Sequence, residues 1–275
     1  MTITQDQIQA YASHLESEER SAATVEKYIR NAVRFALWLD GRALSKELVV
    51  EYKAALEGAV ATVNGAISAV NSLLGFLGRA DCRVKQLRIQ RQTYRSEDRE
   101  LTKEELHRLI RTAEEEGNDR LARAIETIAA TGIRVSELRY FTVEALQEGE
   151  VVITNKGKTR TVMLTKDLTV KLKKYCKAHG IKSGPIFITR SGRPLSRTQL
   201  WAEMKALCRR AGVEETKVFP HNLRHLFAVV FYRLHKDIAK LADLLGHSSI
   251  NTTRIYLVET GKEHRRQLEA MRLVL

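Results

Sequence analysis

Apolar positions in the first 78 residues recur at helical spacing in four successive stretches. Ile8, Tyr11, Ala12 and Leu15 follow the capping box Thr4-Gln5-Asp6-Gln7, and Val25, Tyr28, Ile29, Ala32, Phe35, Ala36 and Leu39 run up to a stop at Gly41. Ser45 caps a third stretch with Leu48, Tyr52 and Leu56 inward, ending near Gly58. Val63, Ile67, Val70, Leu74 and Leu77 mark a fourth, from Thr62 to Gly78. Four helical periods without a strand pattern predict a small helical bundle over residues 1–80.

The period then lapses. Residues 79–95 carry six basic side chains and one acid, Asp81, which predicts a basic linker over 81–99. It resumes at a second capping box, Thr102-Lys103-Glu104-Glu105, with helices expected over 106–113, 121–130, 166–178 and 196–211. Two β-prone runs, 151–154 and 160–164, flank 155–159 as a hairpin, and a short strand is expected at 186–189. The fold class is therefore mainly α: an N-terminal helical bundle, then an α-rich C-terminal domain over 100–275 with a small antiparallel sheet.

Charge changes this picture from a fold to a class of partner. The 275-residue chain carries a formal charge of +13 and a pI near 9.7, which favours a polyanion such as nucleic acid. Residues 1–78 hold seven Lys or Arg against nine Asp or Glu, so the basic excess lies in the linker and beyond. Cys82, Cys176 and Cys208 are far apart and lack metal-ligand spacing, so neither metal nor cofactor is expected. With no apolar run of membrane-spanning length and no leader pattern at Met1-Thr2-Ile3-Thr4, the sequence reads as cytoplasmic, with no membrane association.

The chemistry concentrates between His221 and Tyr256. His221 and Arg224 lie three apart on one helical face, so both can address the same small anion. Gly246 is placed to end the helix carrying Leu241, Leu244 and Leu245; His247 follows in the turn, Ser248 or Ser249 can cap the next helix, and Tyr256 falls about two turns into it. Upstream, Arg134 follows the Gly132 turn, and Glu137 is one turn on and can orient it. A guanidinium fork, imidazoles and a phenolic nucleophile are suited to covalent chemistry at a phosphodiester.

Three blocks in this order, A-T-G-I-R-x-S-E-L over 130–138, H-x-L-R-H over 221–225 and L-G-H-S-S-I-x-T-T-x-x-Y over 245–256, resemble the tyrosine site-specific recombinases, the phage integrase, Cre and Xer-like family. The resemblance implies site-specific DNA recombination through a 3′-phosphotyrosyl link at Tyr256. Arg134 and Arg224 would grip the phosphate, His221 would accept the phenolic proton, and His247 would donate a hydrogen bond to the phosphate. Glu137 and His225 would support them. It also implies a catalytic lysine at the hairpin turn, where K-G-x-x-R places Lys156, with Lys158 the runner-up. For the N-terminal domain it implies DNA contact through the stripe Lys27, Arg30, Arg34 and the polar row Asn64, Ser68, Asn71, and through Arg83, Lys85, Arg88 and Arg91 along the linker.

The expected partner is double-stranded DNA with inverted-repeat core sites, bound by four protomers or with a paired related recombinase. Leu268, Met271 and Leu275, with Val274 beside them, form an apolar stripe on a C-terminal tail helix that would either fold back onto its own catalytic domain or, as the resemblance implies, dock into a neighbouring protomer. A type IB topoisomerase, a non-catalytic DNA-binding relative and a His/Arg phosphatase or nuclease are the competing readings. One departure from the family pattern is His235-Lys236-Asp237, where relatives often have a glycine.

Overall fold

The computed structural model describes residues 2–88, 100–155, 157–189, 191–257 and 261–272. The chain divides into two compact units, Met1–Arg91 and Gln92–Leu275. Among the described residues, no helix is long and apolar enough to cross a membrane.

The first unit is built from α1 (Gln5–Ser17), α2 (Ala22–Leu39), α3 (Lys46–Ala55) and α4 (Val60–Phe76). The Thr4 capping box forms with both of its reciprocal bonds. The second helix ends one residue earlier than Gly41 suggests, because Asp40 takes the left-handed cap conformation itself. In α3 the inward positions are Val49 and Tyr52, while Leu48 and Leu56 are half-buried. Tyr11, Phe35, Tyr52, Ile67 and Leu74 fill the core, where the rings of Phe35, Trp38 and Tyr52 pack edge to face or tilted. Each such side chain removed from water contributes about 1.5–3 kcal/mol.

Two sequence expectations change here. Residues 82–87 lie along the bundle: Cys82 and Val84 are buried in its core. The Asn71 side-chain amide donates to the carbonyl of Val84 and accepts from its N–H, and Asn64 does the same with Leu87. Gln86 donates to the Ser68 hydroxyl between them. The row Asn64, Ser68, Asn71 is thus engaged by residues 84–87 of its own chain: Asn64 and Asn71 satisfy backbone groups of that extended segment, and Ser68 accepts from the Gln86 side chain. Lys46 and Lys53 add bonds to the carbonyls of Asp81, Arg83 and Lys85. Lys85 and Arg88 are exposed; Arg83 extends over Gly75 and donates to the Asn71 carbonyl. Arg91 lies outside the described residues. Lys27, Arg30 and Arg34 are all exposed, and Arg30 pairs with Glu26.

The second unit runs α5 (Lys103–Glu115), α6 (Asp119–Thr131), a 3-10 turn (Val135–Tyr140), α7 (Val143–Glu148), the hairpin strands β1 (Glu150–Asn155) and β2 (Lys158–Met163), α8 (Lys166–Ala178), α9 (Arg197–Ala211), α10 (Pro220–His235), α11 (Ile238–Leu245), α12 (Ile250–Thr253), a 3-10 turn (Arg254–Leu257) and α13 (Gly261–Ala270). The strands pair antiparallel with Asn155 opposite Lys158, longer and more tightly turned than the sequence suggests. Residues 186–189 form no strand, only an isolated bridge from Ile188 to Pro194, because no neighbouring strand offers a ladder. Helix α6 is the centrepiece, buried on α5, α8, α9 and α10 over a core that includes Leu109, Ile125, Phe141, Phe187, Leu200 and Leu223.

The turn between α10 and α11 answers the departure at 235–237. Lys236 adopts the left-handed conformation (φ 54°) that a glycine would take, and its ammonium lies 5.2 Å from the Tyr232 ring centre. Asp237 then caps α11 through the Lys240 N–H. The turn is made without glycine, at a backbone cost.

Candidate active site

Arg224 is the best-held residue of the site. It projects from the first turns of α10, is 1% exposed, and is fixed by two backbone carbonyls: Nη1 donates to Gly132 O and Nη2 to Leu245 O, both at 2.7 Å. These oxygens lie at the C-terminal ends of α6 and α11, whose caps Gly132 and Gly246 are both left-handed. Two helix ends therefore turn their partial negative charge on one buried guanidinium. Burial, and then the charge of Arg134, lower its pKa from the ordinary guanidinium value, while the Tyr256 hydroxyl acts in the other direction. Its Nε is buried with no hydrogen-bond partner among the described residues.

Both cap glycines are needed for space as well as for backbone angle. A Cβ on Gly132 would lie 2.4 Å from the Phe227 ring, and one on Gly246 would lie 2.8 Å from Arg160 Cδ. The glycines of A-T-G and L-G-H are thus required by contacts that bring α6, α10, α11 and the hairpin together.

His247, just past the end of α11, makes two bonds that fix its protonation. Its Nε2 is 2.9 Å from Arg224 Nη2, and its Nδ1 is 2.9 Å from the hydroxyl of the fully buried Thr253. A guanidinium only donates, so Nε2 accepts and the imidazole proton sits on Nδ1. Burial first, then the charges of Arg224, Arg134 and Arg160, push the pKa of His247 down to about 4. The expected donor to phosphate is thus, in the DNA-free chain, an acceptor for Arg224.

Tyr256 lies on the 3-10 turn following α12, capped by Ser249, and is 4% exposed. Its ring is parallel to that of His247 (9°, centres 5.9 Å apart), edge-on to buried His225 (5.3 Å) and tilted against exposed His221 (6.1 Å). Leu241, Leu245 and Ala228 complete its seat.

Arg134 opens the 3-10 turn at Val135, as expected, and its backbone N–H and Nη1 both bond Glu137 (2.8 and 3.1 Å). Glu137 is 1% exposed. Burial works against its charge, but the Arg160 fork and the Arg134 N–H outweigh that and hold its pKa below the usual carboxylate range. Lys158, on β2, donates to the Ser248 hydroxyl at 2.7 Å, next to His247. Lys156 lies outside the described residues.

The structure therefore gathers Arg134, Glu137, His221, Arg224, His225, His247 and Tyr256 around one spot. The sequence does not reveal the parts played by Arg160, Thr253 and Ser248, although all three stand inside its motifs; Ser249 caps α12, and Ser248 instead accepts from Lys158. Nor does the sequence reveal an open cleft of roughly 600 Å³ beside His221, lined by Arg197, Trp201, Lys205, Thr216 and Phe219.

Comparison with known proteins agrees with this geometry. The phage integrase family model matches residues 99–263. Tyrosine recombinase XerA of Pyrococcus furiosus is 27% identical over 286 residues, covering 99% of this chain and 96% of that protein. Tyrosine recombinase XerD of Xanthomonas campestris is 37% identical over 161 residues, covering 53% of this chain and 50% of that one. Among solved structures, the XerH site-specific recombinase bound to its difH substrate in a pre-cleavage complex superposes with a TM-score of 0.72 at 21% identity, covering 98% of this chain and 85% of that one. A lambda integrase tetramer bound to a Holliday junction gives 0.72 at 18% identity, covering 91% and 76%.

Proposed function

Because the chain belongs to the phage integrase family and is a tyrosine recombinase, an enzyme that breaks and rejoins DNA in site-specific recombination, we propose that Tyr256 carries out the break. The phenolic oxygen attacks the scissile phosphorus, the P–O5′ bond breaks, and a 3′-phosphotyrosyl link forms. A phenol of pKa about 10 is only about one part in a thousand ionised at pH 7, so a base and neighbouring cations are required. His221 takes the proton, and Lys156 gives one to the departing 5′-oxygen. Arg134 and Arg224 bind the non-bridging oxygens, on which charge grows in the transition state. The observation that carries this reading is the packing of the Tyr256 ring among three histidines directly beside Arg224.

The phosphodiester completes the role of His247. Its negative charge favours the imidazolium and competes for the Arg224 Nη2–H, freeing Nε2 to carry a proton towards a phosphate oxygen. The covalent link keeps the energy of the broken bond, so rejoining needs no nucleotide. The basic, aromatic cleft beside His221 is a fitting path for the adjoining strand.

The target is duplex DNA with inverted-repeat core sites, held by four protomers in the cytoplasm, in Xer-like resolution or in integration and excision of a mobile element. Leu268 on α13 and Met271 in the turn just after it are 54% and 56% exposed, which supports docking of the tail on a neighbouring protomer. Leu275 and Val274 lie outside the described residues. Deleting residues 262–275 would leave single-site binding intact and remove cooperative binding to paired sites.

Incubation with suicide duplex DNA tests the central step. Wild-type protein forms an adduct that survives denaturation, and Tyr256→Phe binds but forms none. An adduct in that variant means that another group is the nucleophile.

A further inference from the structure

We propose that Arg160 is a positioning residue for strand cleavage: by occupying the fork of Glu137 it keeps Arg134 free to hold the scissile phosphate. This rests on the reading of Arg134 as a phosphate ligand.

Arg160 sits on β2 opposite Ile153, and its side chain is 15% exposed. Its Nη1 and Nη2 reach both Glu137 oxygens, at 3.0 and 2.7 Å. The same carboxylate accepts the Arg134 backbone N–H and one bond from Arg134 Nη1. A carboxylate has about four acceptor sites, and these four bonds fill them. Arg134 is therefore limited to a single side-chain bond; its other donors make none among the described residues, and its side chain is 40% exposed.

Without Arg160, a buried carboxylate would have two empty acceptor sites and half its countercharge. The nearest cation able to supply both is Arg134, and a two-point fork is the stronger geometry. Arg134 would then turn inward and its grip on phosphate would be lost, although the hydrogen bonds of Arg160 go to Glu137 and not to Tyr256. Arg160 also lies so close under Gly246 that no side chain fits there, which joins the hairpin to the turn before His247.

The test is the rate of covalent adduct formation on suicide duplex DNA, with DNA affinity and melting temperature measured alongside. Arg160→Met is expected to be slower by about tenfold or more, the scale of a lost charge-assisted hydrogen bond, with affinity nearly unchanged. The deciding comparison is the double variant Glu137→Gln/Arg160→Met. With no carboxylate to capture Arg134, it should cleave faster than Arg160→Met alone. A purely structural role also predicts recovery, because losing both partners of a buried ion pair costs less than leaving one charge uncompensated, but rate and melting temperature then rise together; capture of Arg134 predicts a recovered rate without a matching gain in melting temperature. A double variant no faster than Arg160→Met, a gain in rate that only follows a gain in melting temperature, or Arg160→Met at the wild-type rate overturns the proposal. Where Arg160→Met does not fold, Arg160→Lys keeps the charge, loses the fork, and carries the same comparison. Arg134→Ala separates the premise: a wild-type rate there means that Arg134 does not hold the phosphate, whatever Arg160 does.

Discussion

Arg224 Nη2 stands 2.9 Å from His247 Nε2, so in the DNA-free protein the arginine proposed to bind phosphate is hydrogen-bonded to its neighbouring histidine. The imidazole proton is thereby confined to Nδ1, where the Thr253 hydroxyl accepts it.

That arrangement has a titration signature. His247 should remain neutral through pH 5.5 and titrate near its depressed value of about 4, and its NMR resonances should follow that course. DNA carrying the scissile phosphate should raise its pKa. An unfolded histidine takes up its proton near pH 6.5, above the native value, so this residue favours the folded state most above that pH. Its contribution is lost as pH falls from about 6.5 through about 4. Thermal melts of His247→Gln over that range should show a shallower pH dependence than wild type.

Arg224→Lys should lose stability as well as activity. An ammonium on a flexible stem cannot reach Gly132 O and Leu245 O together in the planar spread that the guanidinium has. One buried carbonyl left unpaired costs about 1–3 kcal/mol, visible as a lower denaturation midpoint. Tyr256→Phe, by contrast, should melt close to wild type.

The hairpin lysines separate by leaving-group chemistry. Lys156→Ala should slow cleavage of an ordinary phosphodiester and recover with a 5′-bridging phosphorothiolate, whose sulfur departs without a proton. Lys158, whose ammonium is engaged by Ser248, should show neither effect as Lys158→Ala. The opposite pattern would exchange the two roles.

Asn71→Ala should uncouple residues 82–87 from the bundle. It strands the N–H and carbonyl of Val84, at about 1–3 kcal/mol for each group that finds no other partner. Limited proteolysis should then cut in this stretch faster than in wild type. Unchanged cleavage would mean that Cys82 and Val84 hold the segment alone.

The sequence carried the site where chemistry and spacing are the same thing. His221, Arg224, His247 and Tyr256 fall on consecutive short elements, so counting along the chain was enough to bring them together. Arg160 was out of reach because its partner is 23 residues away and nothing local tells which strand side chain turns toward a buried carboxylate. The bonds of Asn64, Ser68 and Asn71 to residues 84–87 were out of reach for a similar reason: a polar row at helical spacing looks the same whether it faces DNA or its own chain. Residues 186–189 have strand propensity, but propensity cannot supply the neighbour that a ladder needs. Lys236 shows the converse, a left-handed turn taken by a non-glycine residue whose ammonium lies over the Tyr232 ring one turn back.

The seat of Arg224 between two helix ends has a genetic consequence. An allele that changes Arg224 removes part of the fold, so the product is cleared or fails to assemble, and one wild-type copy hides the defect. Tyr256→Phe removes an oxygen and should leave a protein that still binds DNA. In an assembly that needs every protomer competent, such an allele is dominant, poisoning complexes that contain wild-type partners.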